Sequence, residues 1–142
     1  NAETGKIILL DFGATRHLDA QLTGGYRSLM HAGLIGDGDS LRAAAQELKF
    51  IDGDGAFDDR IIEMIQTVFD AVRTTDTFDF ADRTLSNKMN AHGMALADAG
   101  YVPPPVPMDV LYLQRKFGGM FLLGSRLGAV LSVRSLLEKH LG

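Results

Sequence analysis

The chain has 142 residues, of which 46% are hydrophobic and 23% charged, and these are proportions of an ordinary globular domain. Its length suits one domain with a modest core. The formal net charge of −4 argues against a nucleic-acid partner, because surfaces that bind nucleic acid are rich in Lys and Arg. The sequence contains no cysteine, which excludes disulfides, thiolate metal sites and cysteine nucleophiles.

The first two residues, Asn1 and Ala2, are not expected to belong to the folded domain. Asn1-Ala2 resembles the remnant of a cleaved tag, so residues 1–4 are interpreted as tag remnant and linker. No apolar run approaches the roughly 20 residues that a membrane-spanning helix requires. The longest, residues 117–124, is flanked by Arg115, Lys116 and Arg126 and is interpreted as part of a buried helix.

A short strand is predicted near the beginning, at Ile7–Leu10, within the sequence GKIILLDFGATR. It runs directly into Asp11, Phe12 and Gly13, and a glycine at that point lets the backbone turn sharply. The carboxylate of Asp11 is a hard oxygen ligand that suits Mg²⁺. In protein kinases the same tripeptide places its aspartate on the magnesium that bridges the nucleotide phosphates. The alternative is a strand that merely ends in a turn.

Two amphipathic helices are predicted next. Asp19 or Thr23 is the expected cap of the first, and Asp39 or Ser40 that of the second. The apolar face of the first helix comprises Leu22, Tyr26, Leu29, Met30 and Gly33. The inward residues of the second are Leu41, Ala44, Ala45 and Leu48.

A third helix is predicted at 58–73, because its isoleucines, valines and phenylalanine recur at helical spacing. Residues 74–79 are interpreted as a connection, and a fourth helix is predicted from about Asp82 to Ala99 with Gly100 at its C-terminal end. His92 shares the inner face of that helix with Leu85, Met89 and Leu96. Packing is the expected role of His92.

Four prolines between 103 and 107 enforce an extended segment before the last two helices. Asp109 is the expected cap of a helix from Val110 to about Gly128, and a final helix is predicted at 131–141. Gly118 and Gly119 predict a kink or a close contact. The spacing of Gly124 and Gly128 indicates close packing in a soluble core.

Two acidic loops, at 36–39 and 52–55, have some resemblance to calcium loops. In the second, Ala56 and Phe57 stand where an EF-hand requires a ligand and a glycine. Both loops are therefore interpreted as caps and turns. The four histidines show no zinc spacing, and the glycine-rich, Walker, HExxH and GxSxG motifs are absent from the sequence.

Taken together, the motifs resemble the C-terminal part of the UbiB family, the aarF-domain atypical kinases. The resemblance covers nearly the whole chain, and its residues are the run Leu9–Arg16, Tyr26, Phe50, Phe78-Asp79-Phe80, Val102–Pro105, Arg115–Gly119 and Ser125–Leu127. It implies a mainly α fold: the helical C-terminal part of a protein-kinase-like C-lobe, with one short N-terminal β-strand leading into the Asp-Phe-Gly turn. Residues 5–142 would form this portion of the kinase-like domain.

The resemblance also implies an activity for the parent protein. It would be an ATP-dependent atypical kinase or ATPase of ubiquinone (coenzyme Q) biosynthesis, acting with Mg²⁺ at the cytoplasmic face of a bacterial inner membrane or in mitochondria. Asp11 would be the metal ligand, with Phe12 and Gly13 setting its position. The catalytic residues would precede residue 5, so the isolated piece is expected to be inactive and to bind no cofactor tightly.

Partners follow from the same interpretation. The upstream remainder of the kinase-like domain is expected to pack on this chain, and the parent is expected to associate with membrane or lipid. The predicted strand Ile7–Leu10 would have an unpaired edge, which favours a homodimer. The alternative function is a helical protein-interaction module in which the Asp-Phe-Gly motif is incidental.

Overall fold

Six helices account for most of residues 3–6 and 15–141, the part of the chain that this computed structural model describes. They are α1 (Ala20–Ile35), α2 (Gly38–Glu47), α3 (Asp58–Arg73), α4 (Thr84–Asp98), α5 (Met108–Leu127) and α6 (Val133–Leu141). Two short strands, β1 (Phe78–Asp79) and β2 (Val130–Leu131), complete the described structure. The predicted mainly α class is confirmed. The predicted strand Ile7–Leu10 lies outside the described residues.

The caps of α1 and α2 fix where these helices begin. Asp19 caps α1 as predicted, because its Oδ1 accepts a hydrogen bond from the backbone N–H of Leu22 at 2.6 Å. The predicted cap of α2, Asp39 or Ser40, is wrong. Asp37 is the cap, and it accepts hydrogen bonds from the backbone N–H and the hydroxyl of Ser40. The helix therefore begins at Gly38, earlier than the apolar pattern indicated.

The core lies where α1, α2 and α3 meet, and one residue of α4 completes it. Its buried members are Tyr26, Leu29, Ala32, Leu41, Ala44, Ala45, Leu48, Ile51, Ile61, Ile62 and Leu96. Each large aliphatic side chain in such a site contributes about 1.5–3 kcal/mol by leaving water. The inner faces predicted for the first three helices are therefore confirmed.

The fourth helix begins later than predicted. Asp82 lies outside α4, and its carboxylate accepts hydrogen bonds from both the backbone N–H and the hydroxyl of Thr84. At the other end Gly100, with a φ of 82°, stands just past the last residues of the helix, as predicted. A left-handed φ of this kind favours glycine.

The two strands were not predicted. Residues 74–79 contain β1, which pairs antiparallel with β2 in the register Phe78 to Leu131 and Asp79 to Val130. The final helix consequently begins at Val133, two residues after the predicted Leu131. It is held against α1 because Arg27 donates hydrogen bonds to the backbone carbonyls of His140 and Leu141.

Two features predicted for the fifth helix are not found: a cap at Asp109, and a kink or close contact at Gly118 and Gly119. Pro107 is the residue before its first turn, and Asp109 lies inside that turn instead of capping it. The helix runs through Gly118 and Gly119, and a Cβ at either would meet no described atom within 4 Å. The close approach is at Gly124, where a Cβ would lie 2.7 Å from Phe80 Cδ1. Close packing was predicted for Gly124 and Gly128. It is found at Gly124, where the accommodated ring follows β1, whereas a Cβ at Gly128 would meet no described atom within 4 Å.

Candidate functional site

The three residues with predicted site roles, Asp11, Phe12 and Gly13, lie outside the described residues. The Mg²⁺ ligand role of Asp11 therefore stays a prediction. What the structure describes is the chain that follows the motif, from Thr15 to the start of α1. The contacts of this segment define how the motif is joined to the helical body.

Arg16 connects this segment to the first turn of α5. Its Nε forms an ion pair with Asp109 Oδ1. The Arg16 guanidinium carbon also lies 6.0 Å from the centre of the Tyr112 ring, within the range of a cation–π interaction. Two residues one helical turn apart thus contact the same guanidinium. This junction was not predicted from the sequence, although Arg16 was part of the motif.

The environment of Asp109 makes its pairing with Arg16 consequential. The Oδ1 atom is shielded from solvent, and no described group donates it a hydrogen bond of regular geometry. The negative charge of the Asp109 carboxylate is therefore compensated by the charge of Arg16 and by the positive end of the α5 dipole. A shielded carboxylate oxygen without a charged partner is costly.

The acidic loops are structural turns, as predicted. Asp58, at the first turn of α3, is only 5% exposed. Its carboxylate accepts hydrogen bonds from the backbone N–H groups of Asp52, Gly53 and Gly55, the second of these at 2.7 Å. Asp58 thereby closes the loop between α2 and α3. Its role as an interior anchor was missed, because the sequence pattern shows it only as one of two acids at a helix N-terminus.

A cleft of about 630 Å³ lies between α3, β1 and α4. It is lined by hydroxyls, three carboxylates and two basic side chains, among them Asp79, Asp82, Lys88 and His92. His92 is half-buried, and its Nε2 lies 3.5 Å from Thr67 Oγ1. This contact supports the packing role expected of His92.

Tyr26 has a hydroxyl with no hydrogen-bond partner among residues 3–6 and 15–141. Its ring packs against Phe50 and Phe117, at centroid distances of 6.0 and 5.9 Å. Burial raises the pKa of this hydroxyl, because an apolar environment disfavours the phenolate. Tyr26 is therefore a core residue in the described structure.

Within residues 3–6 and 15–141, no group of three or more His, Asp or Glu side chains is arranged to hold a metal ion. Within the same residues no helix combines the length and the hydrophobicity needed to cross a bilayer.

No family model matches the chain, but curated proteins resemble it over nearly its full length. It is 31% identical to "Atypical kinase COQ8B, mitochondrial" of Danio rerio, with 96% of this chain and 22% of the relative aligned. The protein of the same name from Rattus norvegicus is 29% identical over 97% of this chain and 26% of its own length. "Atypical kinase COQ8, mitochondrial" of Saccharomyces cerevisiae is 29% identical over 98% and 28%.

These relatives share a class, the atypical kinases. The chain spans about a quarter of the length of the curated relatives it matches. The predicted resemblance to the C-terminal part of the UbiB family of atypical kinases is confirmed.

Proposed function

We propose that this chain is the metal-binding part of an ATP-dependent UbiB-type kinase or ATPase. In this proposal Asp11 binds the Mg²⁺ that bridges the phosphates of ATP, Phe12 and Gly13 set its position, and the helices behind them support the turn. The observation that carries the proposal is the similarity to atypical kinases across the segment that includes Asp11-Phe12-Gly13. An aspartate side chain at the end of a strand is the type of ligand that magnesium takes beside a nucleotide.

The parent protein, in this proposal, acts in ubiquinone biosynthesis. The mitochondrial names of the relatives support a mitochondrial location, with the cytoplasmic face of a bacterial inner membrane as the counterpart for a bacterial protein. The proposal includes association of the parent protein with membrane or lipid. The upstream remainder of the kinase-like domain is the principal partner, and the segment Ile7–Leu10 is the proposed contact of a homodimer.

The test compares residues 1–142 alone with the full-length protein. Phosphoryl transfer depends on positioning and on charge stabilisation by several groups, and the catalytic groups are assigned to the upstream part. We therefore expect Mg-ATP to shift the melting temperature of the full-length protein and to leave that of residues 1–142 unchanged. Asp11→Asn should abolish the shift in the full-length protein. A shift that survives this substitution would refute the metal role of Asp11.

A second candidate function, a helical interaction module with an incidental Asp-Phe-Gly motif, is favoured by the surface of α5. Several large apolar side chains of this helix are exposed, with Leu122 at 69% and Leu127 at 72%. The same nucleotide experiment separates the two functions. An interaction module would show no Mg-ATP response in the full-length protein, with or without Asp11.

A further inference from the structure

One side of α5 stands open to solvent in the described part of the chain. Leu111, Arg115, Gly118 and Leu122 follow one another at helical spacing along it, and all four are exposed. The other side of the helix faces the fold, where Val110 is buried. We propose that the outward face of α5, which comprises this line and the exposed residues beside it, is the surface on which the upstream part of the kinase-like domain packs. The inference rests on one part of the proposed function, that this chain belongs to a longer kinase-like protein.

The outward face carries further apolar side chains beside the line. Met120, Leu123 and Leu127 are 58%, 49% and 72% exposed. A contiguous apolar patch of this kind marks an interaction surface. About three quarters of each curated relative lies outside the part aligned with this chain, so a parent of similar length has enough chain to cover the patch.

The charges on the outward face indicate the chemistry of what covers it. Arg115, Lys116 and Arg126 are exposed there, and none of them forms an ion pair within the described residues. The sequence has no Asp or Glu from 110 to 137, although the formal net charge of the chain is −4. The face therefore suits a partner that brings both apolar side chains and carboxylates.

A second copy of this chain and a bilayer both fit the pattern poorly. In a two-fold dimer through the outward face, cations would meet cations, because no acid stands among them. A helix that lies in a bilayer surface keeps its cations on a separate polar side. Here Arg115 comes four residues after Leu111, and Arg126 comes four residues after Leu122, so the cations share the apolar line. A protein segment can place a carboxylate opposite each of them.

Gly118 and Gly119 give the outward face a shape that suits close packing. Both lie inside α5, where glycine is less favourable than alanine, and a Cβ at either would meet no described atom within 4 Å. The described contacts therefore give no reason for two successive glycines. A helix or loop of the upstream part that packs here supplies one, because the missing side chains let two backbones approach.

Amide hydrogen exchange, measured without nucleotide, compares α5 in residues 1–142 and in the full-length protein. We expect exchange in residues 111–122 to be at least about tenfold slower in the full-length protein, because a covered helix opens less often. Zero-length carbodiimide cross-linking of full-length monomers should join Lys116 to an Asp or Glu of the upstream part. Equal exchange in the two proteins, whether slow or fast, would refute the proposal.

Gly118→Leu is expected to act in opposite directions in the two proteins. In residues 1–142 it should raise the melting temperature by about 3 °C, since leucine is the better helix former at an open position. In the full-length protein the new side chain takes space that the upstream part needs, and exchange in residues 111–122 should rise about tenfold.

Gly93→Leu in α4 is the matched control. Gly93 is also exposed inside a helix, and no described atom outside the adjoining helix backbone lies within 4 Å of its Cβ position. This change should raise the melting temperature of both proteins. If Gly118→Leu does the same in both, the outward face is open in the full-length protein and the proposal fails.

The other two occupants are separate outcomes of the same measurements. Slower exchange in α5 that appears only at high protein concentration, together with a dimer in sedimentation, would identify a second copy. Slower exchange that appears only with vesicles of equal parts phosphatidylcholine and phosphatidylserine would identify a bilayer. Either result overturns the proposal.

Failure of this inference is distinguishable from failure of the metal role of Asp11, because none of these readouts involves Mg²⁺ or ATP. If Asp11→Asn leaves the Mg-ATP shift of the full-length protein intact while α5 is protected there, the metal role is wrong and the docking surface stands. If Asp11→Asn abolishes the shift while α5 exchanges equally in both proteins, only the docking surface is refuted.

Discussion

Phe69 of α3 lies directly against Gly33 of α1, so that a Cβ at Gly33 would stand 2.3 Å from Cγ and Cδ2 of its ring. The absence of a side chain at Gly33 is thus what lets the two helices approach. Ala32 of α1 and Leu41 of α2 are buried in the core. The contact explains why a glycine is accommodated in the middle of an amphipathic helix, where it is otherwise unfavourable.

Gly33→Ala is therefore expected to destabilise the fold. Alanine would gain up to about 1 kcal/mol of helix propensity, but displacing the Phe69 ring costs about 1–3 kcal/mol by overpacking. We expect a net loss of about 1 kcal/mol in the free energy of unfolding, measured by urea denaturation. Gly24→Ala in the same helix is the control, because no described atom outside the adjoining helix backbone lies within 4 Å of its Cβ position. Gly24→Ala should stabilise, and equal effects of both changes would contradict the packing argument.

Asp58 provides a second prediction on stability. Its carboxylate accepts hydrogen bonds from three backbone N–H groups at the α2–α3 loop, and removing it leaves partly buried donors unsatisfied. Asp58→Ala should lower the free energy of unfolding by about 2 kcal/mol. The neighbouring Asp59 is the control: its side chain is 91% exposed and pairs with Arg42 at the surface. Asp59→Ala should cost less than about 1 kcal/mol, and a similar cost for both would show that Asp58 does not anchor the loop.

The sequence pattern predicts the helices of this fold more accurately than it predicts their caps. The bounds 58–73 of α3 were predicted correctly, because many apolar residues share one stripe and acids mark its start. The cap of α2 was wrong, since Asp37, Asp39 and Ser40 are all good capping residues and only the geometry selects Asp37. Local pattern therefore predicts helices better than it predicts their first residues.

Long-range features were beyond the sequence. The strands β1 and β2 have two residues each and lie about fifty positions apart, too short to show alternation. The ion pair of Arg16 with Asp109 spans a still longer separation. In the candidate site, the sequence supplied Asp11-Phe12-Gly13 through a motif, and the structure supplied the contacts of the segment that follows.

The caps Asp37 and Asp82 predict a pH dependence. Hydrogen bonds from the Ser40 hydroxyl and then the Ser40 backbone N–H lower the pKa of Asp37 from its usual 3.8. Corresponding bonds from Thr84 lower the pKa of Asp82. Because both values are depressed in the fold, the stabilisation is present above the ordinary pKa and is lost as pH falls through the lowered values.

Carboxyl carbon NMR titration tests this directly. Asp37 and Asp82 should each titrate below 3.8, the usual value for aspartate. Ser40→Ala should raise the pKa of Asp37 while leaving that of Asp82 in place, and Thr84→Ala should do the reverse. A pKa at or above the usual value for either aspartate in the unsubstituted protein would refute the assigned hydrogen bonds.

Phe80 is expected to control how firmly α5 is held. Its ring packs edge-on to Phe78 and against Phe121, with centroids 4.9 and 5.6 Å away, and it lies over Gly124. The exposed apolar surface of α5 shows that few other described contacts cover the second half of this helix. Phe80→Ala should therefore increase amide hydrogen exchange in residues 118–127 by about tenfold, since lost aromatic contacts of this kind cost on the order of 1–2 kcal/mol. Exchange in α1 should be unaffected.

Leu122→Ala, at a side chain that is 69% exposed, is the matched control and should leave exchange near that of the unsubstituted protein. If Phe80→Ala instead raises exchange uniformly through α1, α2 and α3, the ring supports the whole core and α5 has no separate attachment.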